Sequence, residues 1–126
     1  MNEIALEWVN RAENDNTLAH LALNAEPPIP EGACFHAQQC AEKYLKAYLQ
    51  DQNVEVPRTH HLLVLLDLCL SHGAGFEGLR DPLTELDGYG VAVRYPGVNI
   101  SKELGSSAIK MALNVREIVR KAMGIS

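Results

Sequence analysis

The chain has 126 residues, of which 47% are hydrophobic, and its formal net charge is −5. This length fits one domain over residues 1–126, and the acidic balance argues against broad electrostatic binding of nucleic acid. No apolar run reaches the roughly 20 residues that span a bilayer. The acidic first residues lack a signal-peptide pattern, so we expect a cytoplasmic protein with no membrane partner.

The first predicted helix runs from about residue 2 to residue 24. Its apolar residues recur near the helical period, with Trp8 beside them, and the stripe consists of Ala5, Val9, Ala12, Asn16, Ala19 and Leu23. Asp15 interrupts the apolar side near the middle of the helix. Three prolines within residues 25–30 end it, because proline lacks a backbone N–H and restricts the residue before it.

The second predicted helix, from about residue 32 to residue 52, carries polar side chains close to its apolar side. Gln38 falls within the apolar stripe, whereas Gln39 and Lys43 lie four residues apart along one flank. A buried amide or charge is costly unless it has a partner. This helix therefore either anchors an internal polar network or faces a binding surface.

Two shorter helices are predicted next. Thr59 is the expected N-cap of an apolar, largely buried helix over about residues 60–71. Asp81 followed by Pro82 has the pattern of an N-cap and first helical position, and predicts the start of a short fourth helix.

The last predicted helix is capped by Ser101 and runs to about Met123. Its apolar residues repeat in steps of four and three, which is typical of an interhelical seam, and we assign them to core or dimer packing: Leu104, Ala108, Met111, Val115, Ile118 and Ala122. Together the helices predict an all-α fold, an up-and-down antiparallel four-helix bundle with a short additional helix. Such a bundle can leave an apolar face for a second copy, so we expect a homodimer.

The cysteines and histidines do not predict a metal centre. Cys34, Cys40 and Cys69 cannot all pair within the chain, and each lies in an apolar helical stretch, which favours reduced thiols in the core. His36 lies one turn before Cys40 and the two could offer two ligands, but nothing at firm ligand spacing completes a site. We predict no metal and no cofactor.

Four segments in chain order resemble the HEPN family, the higher-eukaryote and prokaryote nucleotide-binding domain. They are Trp8 with residues 12–15 (AEND), residues 35–47 (FHAQQCAEKYLKA), residues 59–62 (THHL) and residues 94–96 (RYP). The resemblance implies an up-and-down helical bundle that is usually dimeric. Many small members are encoded beside a minimal nucleotidyltransferase and act as its partner subunit. Others are toxins that cut RNA without metal, at a site formed across the dimer.

RNA-cutting members of the family use an arginine followed by four to six residues and then a histidine. No arginine of this chain meets that spacing: Arg58 is followed too soon by His60 and His61, and neither Arg80 nor Arg94 has a histidine after it. The resemblance therefore transfers no catalytic pair, and we expect a protein without its own catalysis. A rearranged site built from His61 and Arg94 would instead make it a metal-independent RNase toxin.

The function that the resemblance favours is a nucleotide-binding partner subunit of a minimal nucleotidyltransferase, in a toxin–antitoxin-type module. We predict its nucleotide or RNA pocket from polar residues on otherwise apolar faces and from the Arg-Tyr-Pro turn: Asp15, Gln38, Lys43, His61, Arg94 and Tyr95. Arg94 and Lys43 would hold phosphate, and Tyr95 would stack on a base. Gln38 and Asp15 would orient the other side chains.

The same residues also admit purely structural roles. Gln38 can satisfy a buried backbone group or Asp15, and Lys43 can pair with Asp15 across the helices. His61 can be solvated at a helix start, where the dipole opposes its protonation. Arg94 can be tied to a nearby carboxylate. If all of these hold, the protein is a structural dimeric interaction module.

Overall fold

The computed structural model describes residues 2–92, 96, 97 and 99–126, which contain helices and no strand. Within these residues five α-helices follow one another: α1 (Glu3–Asn24), α2 (Pro30–Asp51), α3 (Leu62–Ser71), α4 (Arg80–Ala92) and α5 (Lys102–Ala122), with a 3-10 turn at Glu77–Leu79. The predicted all-α helical bundle is confirmed. Over the described ranges, no helix has both the length and the apolar character needed to cross a membrane.

Helix α2 lies at the centre and contacts all four other α-helices. Thirteen of its 22 residues are buried. Tyr44, Leu45 and Leu49 fill the space between helices, and alanines and cysteines lie between them, where small side chains let neighbouring backbones approach closely. Three polar side chains on this helix, those of Gln38, Glu42 and Lys46, are therefore held in fixed surroundings rather than on a free surface.

Asn2 fixes the antiparallel register of α1 and α2. Its side-chain oxygen accepts a hydrogen bond from the backbone N–H of Ala5 at 2.7 Å, which caps α1. Its amide nitrogen donates to the carbonyl of Gln50 at 2.9 Å, near the end of α2. The start of α1 is thus tied to the end of α2, and this pairing places Trp8 beside Lys46.

The starts of α2 and α3 differ from the predicted positions, each for a different local reason. Helix α3 begins at Leu62, two residues later than expected. The hydroxyl of Thr59 accepts from the backbone N–H of His61 at 3.1 Å, and Asp87 caps Leu62 across the bundle at 3.2 Å. Helix α2 begins earlier, at Pro30, since proline fits the first helical position without losing a bond.

The predicted N-cap role of Asp81 is wrong. The 3-10 turn at Glu77–Leu79 runs directly into α4, which begins at Arg80, so Asp81 already lies in the first helical turn. Pro82 still occupies that turn, where its missing N–H costs no helical hydrogen bond.

The predicted stripe of α5 lies along one edge of the side that this helix buries. Ala108 and Val115 of the predicted stripe are buried, but Leu104, Met111 and Ile118 are only partly buried and Ala122 is exposed. The buried side contains Gly105, Ala108, Ile109, Ala112, Val115 and Val119. Small residues there allow close approach: a Cβ on Gly105 would lie 3.1 Å from Leu23 Cδ1 and 3.4 Å from Ala33 Cβ.

The three cysteines are free thiols in the core, as predicted. Burial raises the pKa of Cys34 to about 11 and the pKa values of Cys40 and Cys69 to about 12. They stay protonated at neutral pH and are poor nucleophiles, since the thiolate is the reactive form.

Candidate functional site

Asp15 is the centre of a polar contact between α1 and α2. Its side chain is only 7% exposed, and its two oxygens bind two residues of α2: Oδ1 lies 2.8 Å from His36 Nδ1 and Oδ2 lies 2.5 Å from Lys43 Nζ. Positions 36 and 43 are seven residues apart, close to two helical turns, so both side chains reach the same neighbour. A carboxylate only accepts, so Nδ1 of His36 is the donor.

Gln38 points to a different part of the structure. Its amide nitrogen donates to the carbonyl of His60 at 3.3 Å, and Gln39 donates to its side-chain oxygen at 3.1 Å. Gln38 therefore satisfies a backbone group in the segment that leads into α3. His61 follows in that segment and is exposed at the N-cap of α3.

The structure brings together only some of the predicted pocket residues. Asp15 and Lys43 are in direct contact, and Gln38 lies beside the residue that precedes His61. Among the described residues, no hydrogen bond joins these two groups. Arg94 and Tyr95 lie outside the described residues.

His36 takes part in a contact that the sequence does not reveal. The sequence suggests it only as a metal ligand with Cys40, but its Nδ1 is bound to Asp15 and Cys40 is buried in the core. Within the part of the chain that the structure describes, no group of three metal-ligating side chains is found.

A second polar cluster missed from the sequence consists of Glu42, Lys46 and His60. Lys46 Nζ lies 3.0 Å from Glu42 Oε2, and His60 Nδ1 lies 3.1 Å from Glu42 Oε1. Glu42 and Lys46 are almost fully buried, whereas the His60 side chain is 72% exposed. Lys46 Nζ also lies 5.4 Å from the centre of the Trp8 ring, within the range of a cation–π contact. The four-residue spacing from Glu to Lys is a usable local signal.

A third cluster joins α1, α2 and α5. Arg116 donates to both oxygens of Glu13 at 2.7 Å, and the Tyr44 hydroxyl donates to Glu13 Oε2 at 2.5 Å. Arg120 donates to the Tyr44 oxygen at 3.1 Å. The hydrogen bond to Arg116 lowers the pKa of Glu13, and burial together with the bond to Glu13 raises the pKa of Tyr44. These contacts fasten α5 to the other two helices.

Because the pKa of Glu13 is lowered in the folded protein, the free energy of unfolding should depend on pH in the acidic range. A group with a depressed folded pKa contributes stability above its unfolded pKa and loses it as pH falls through the folded value. We expect the free energy of unfolding of the wild type to fall between about pH 7 and about pH 3, and to fall less in Glu13→Gln. Urea unfolding at the two pH values measures this. Glu117→Gln, at an exposed position on α5, is the matched control and should keep the wild-type dependence.

Two adjoining cavities lie next to these clusters. An open cavity of about 730 Å³ is lined by the start of α1, by the end of α2, including Lys46, and by residues 53–58. A smaller cavity of about 300 Å³ is lined by Lys43 and Arg11. Ile4 and Trp8 line both. Of the predicted pocket residues that the structure describes, Lys43 is the one that lines either of these cavities.

The bundle and its polar central helix define a small all-α protein whose sequence matches the HEPN domain over residues 5–122. The chain belongs to the HEPN family. It is similar to the crystal structure of TT1696 from Thermus thermophilus, with a TM-score of 0.84 and 26% identity over 96% of this chain and 98% of that one. It is also similar to ST0689, an archaeal HEPN homologue, with a TM-score of 0.77 and 27% identity over 98% and 99% of the two chains. No curated protein matches the sequence.

Proposed function

We propose that this protein is a nucleotide-binding partner subunit of a minimal nucleotidyltransferase, in a toxin–antitoxin-type module, without catalysis of its own. The observation that supports a binding role is the position of Lys43. Its ammonium group is held by the buried carboxylate of Asp15, yet its side chain is partly exposed and lines a cavity. The sequence lacks the Arg–His spacing of RNA-cutting members, so the proposal assigns no catalytic residue.

Lys43 is suited to contact phosphate because an ammonium group has three N–H donors and Asp15 takes one of them. Asp15 would hold the lysine in position, with His36 fixing the other carboxylate oxygen. From the sequence, we propose Arg94 as a second phosphate contact and Tyr95 as a stacking surface. Gln38 and His61 would complete the site from the side of α3.

A pull-down with tagged protein from lysate of the source cell tests the partner. Stoichiometric recovery of a small nucleotidyltransferase is the expected result, with absorbance at 260 nm reporting bound nucleotide or RNA. Recovery of untagged copies of the chain in the same experiment would support the homodimer that we also propose, for which exposed Leu18, Leu21 and Phe35 offer apolar surface. Recovery of the tagged chain alone would contradict the partner proposal.

Lys43→Ala tests the phosphate contact. We expect it to weaken nucleotide binding roughly tenfold, since a hydrogen bond to a charged group contributes about 1.5–3 kcal/mol and the solvated lysine is at the low end of that range. Isothermal titration calorimetry measures the change. Lys110→Ala removes an exposed lysine of α5 and should leave the affinity unchanged. Equal affinities of the two variants would exclude Lys43 from the site.

A further inference from the structure

Two neighbouring cavities share Ile4 and Trp8 in their linings, and we call them together the Trp8 groove. It is lined by the start of α1, by Lys43, Lys46 and Gln50 of α2, and by residues 53–58. The volume of each cavity, about 730 Å³ and about 300 Å³, is in the range of small-molecule sites in proteins, roughly 300–1,000 Å³. The groove lies beside the predicted pocket, but of the predicted residues it includes Lys43 alone among those that the structure describes.

Lys46 provides a buried positive charge with an unused donor. Its residue is 6% exposed, so it is almost fully withdrawn from water, yet it lines the groove. Of its three N–H groups, one is used by Glu42 and a second is accommodated by the Trp8 ring. The third is left for an acceptor in the groove.

Arg58 adds a second cation at the same end of the groove. It is exposed, and no carboxylate of the described residues forms an ion pair with its guanidinium group. Its planar fork matches a phosphate better than an ammonium group does. Glu55 also lines this end, so the local charge is balanced and does not attract anions over a long range. An anion is favoured only where it contacts both cations directly.

Trp8 supplies an aromatic surface next to those cations. Lys46 covers one part of the ring, but the ring borders both cavities, and the smaller one does not include Lys46. A flat group can therefore lie against the part that faces the smaller cavity. Base–aromatic stacking is tolerant of base identity, because every base has a π-face.

We propose that the Trp8 groove binds one nucleoside monophosphate unit, with its phosphate between Lys46 and Arg58 and its base against Trp8. The unit is either a free nucleotide or one residue of a single RNA strand. This inference rests on the proposed nucleotide-binding function, and it adds three residues that the predicted pocket did not contain. Lys43 lines the smaller cavity together with Trp8 and would be available to the next phosphate of a strand.

The chain contains a single tryptophan, so the intrinsic tryptophan fluorescence of the protein reports on this groove alone. We expect AMP to quench Trp8 emission saturably, and adenosine and inorganic phosphate to bind at least roughly tenfold more weakly, since each lacks one of the two contacts. A six-residue single-stranded RNA tests the second source of the ligand. Tighter binding of the RNA than of AMP would identify a strand, and equal binding would identify a free nucleotide.

Variants separate this groove from any other nucleotide site. By calorimetry, Trp8→Leu and Arg58→Ala should each weaken AMP binding roughly tenfold. Arg80→Ala removes an exposed arginine at the start of α4 and should bind like the wild type. Helical content and thermal midpoints measured by circular dichroism confirm that each variant is folded.

Two results would overturn the inference. One excludes only the groove as the binding site, and the other also excludes nucleotide binding by the protein. If AMP or the RNA binds Trp8→Leu and Arg58→Ala as tightly as the wild type, the groove is wrong but nucleotide binding stands. If neither ligand binds the wild type at concentrations up to about 5 mM, both the groove and the nucleotide-binding part of the proposed function are wrong.

Discussion

Glu42→Leu is expected to lower the free energy of unfolding by about 3–5 kcal/mol. The substitution removes the carboxylate that compensates Lys46, whose side chain is only 8% exposed. A buried charge without a partner is among the costliest changes that one substitution can make. His60 also loses its partner, but this side chain is largely exposed and is rehydrated. Urea unfolding of wild type and variant measures the difference.

Two control variants isolate the role of burial in that result. Glu7→Leu breaks the pair Glu7–Arg11, which has the same four-residue spacing and a 3.1 Å contact but is exposed, so it should cost about 0–1 kcal/mol. Replacing Glu42 and Lys46 together by leucine removes both charges and should recover most of the loss. A cost for Glu42→Leu no greater than that for Glu7→Leu would contradict our account of the buried pair.

Leu45→Ala is expected to destabilise the protein by about 2–5 kcal/mol. Leu45 is fully buried on α2, the helix that contacts every other helix, and its carbonyl accepts a weak hydrogen bond from the thiol of Cys69 on α3. The truncation leaves a cavity, and the tightly packed neighbours of Leu45 cannot move far enough to fill it. The loss in the free energy of unfolding should therefore lie in the upper part of this range.

Val64→Ala provides the comparison for that substitution. Val64 lies on α3 but is 51% exposed, so its truncation should change the free energy of unfolding by only about 0.5 kcal/mol. Guanidinium unfolding of the two variants gives both values. Similar costs at positions 45 and 64 would show that α2 is not packed as the structure has it.

Local patterns in the sequence predict the helices well, and the contacts between helices poorly. Apolar periodicity locates five helical segments, and proline and serine signals locate several of their ends, because these features act within a few residues. The predicted start of α4 is misplaced because a 3-10 turn leads into it. On α5 the sequence pattern misses the buried positions Gly105 and Ala112, which carry little hydrophobic signal, although their small size is what lets α5 approach its neighbours.

In the candidate site, too, the sequence suggests some contacts and misses those that depend on how distant helices are aligned. The pairing of Lys43 with Asp15 is one of the alternatives that the sequence suggests, since Asp15 interrupts the apolar side of α1 and Lys43 lies along a flank of α2. The contact between Arg116 and Glu13 joins residues 103 positions apart and depends on the relative register of α1 and α5. Register is set by side-chain packing across the whole bundle, which no short pattern in one chain specifies.

The central position of α2 also bears on how this protein can change during evolution. A helix that packs on four others tolerates few substitutions, because almost every side chain has neighbours with fixed shapes. Residues 52–58 and the outer side of α1 have exposed positions and fewer such constraints. In related chains of this fold, differences in ligand or partner preference should therefore accumulate in these two segments, while α2 drifts slowly.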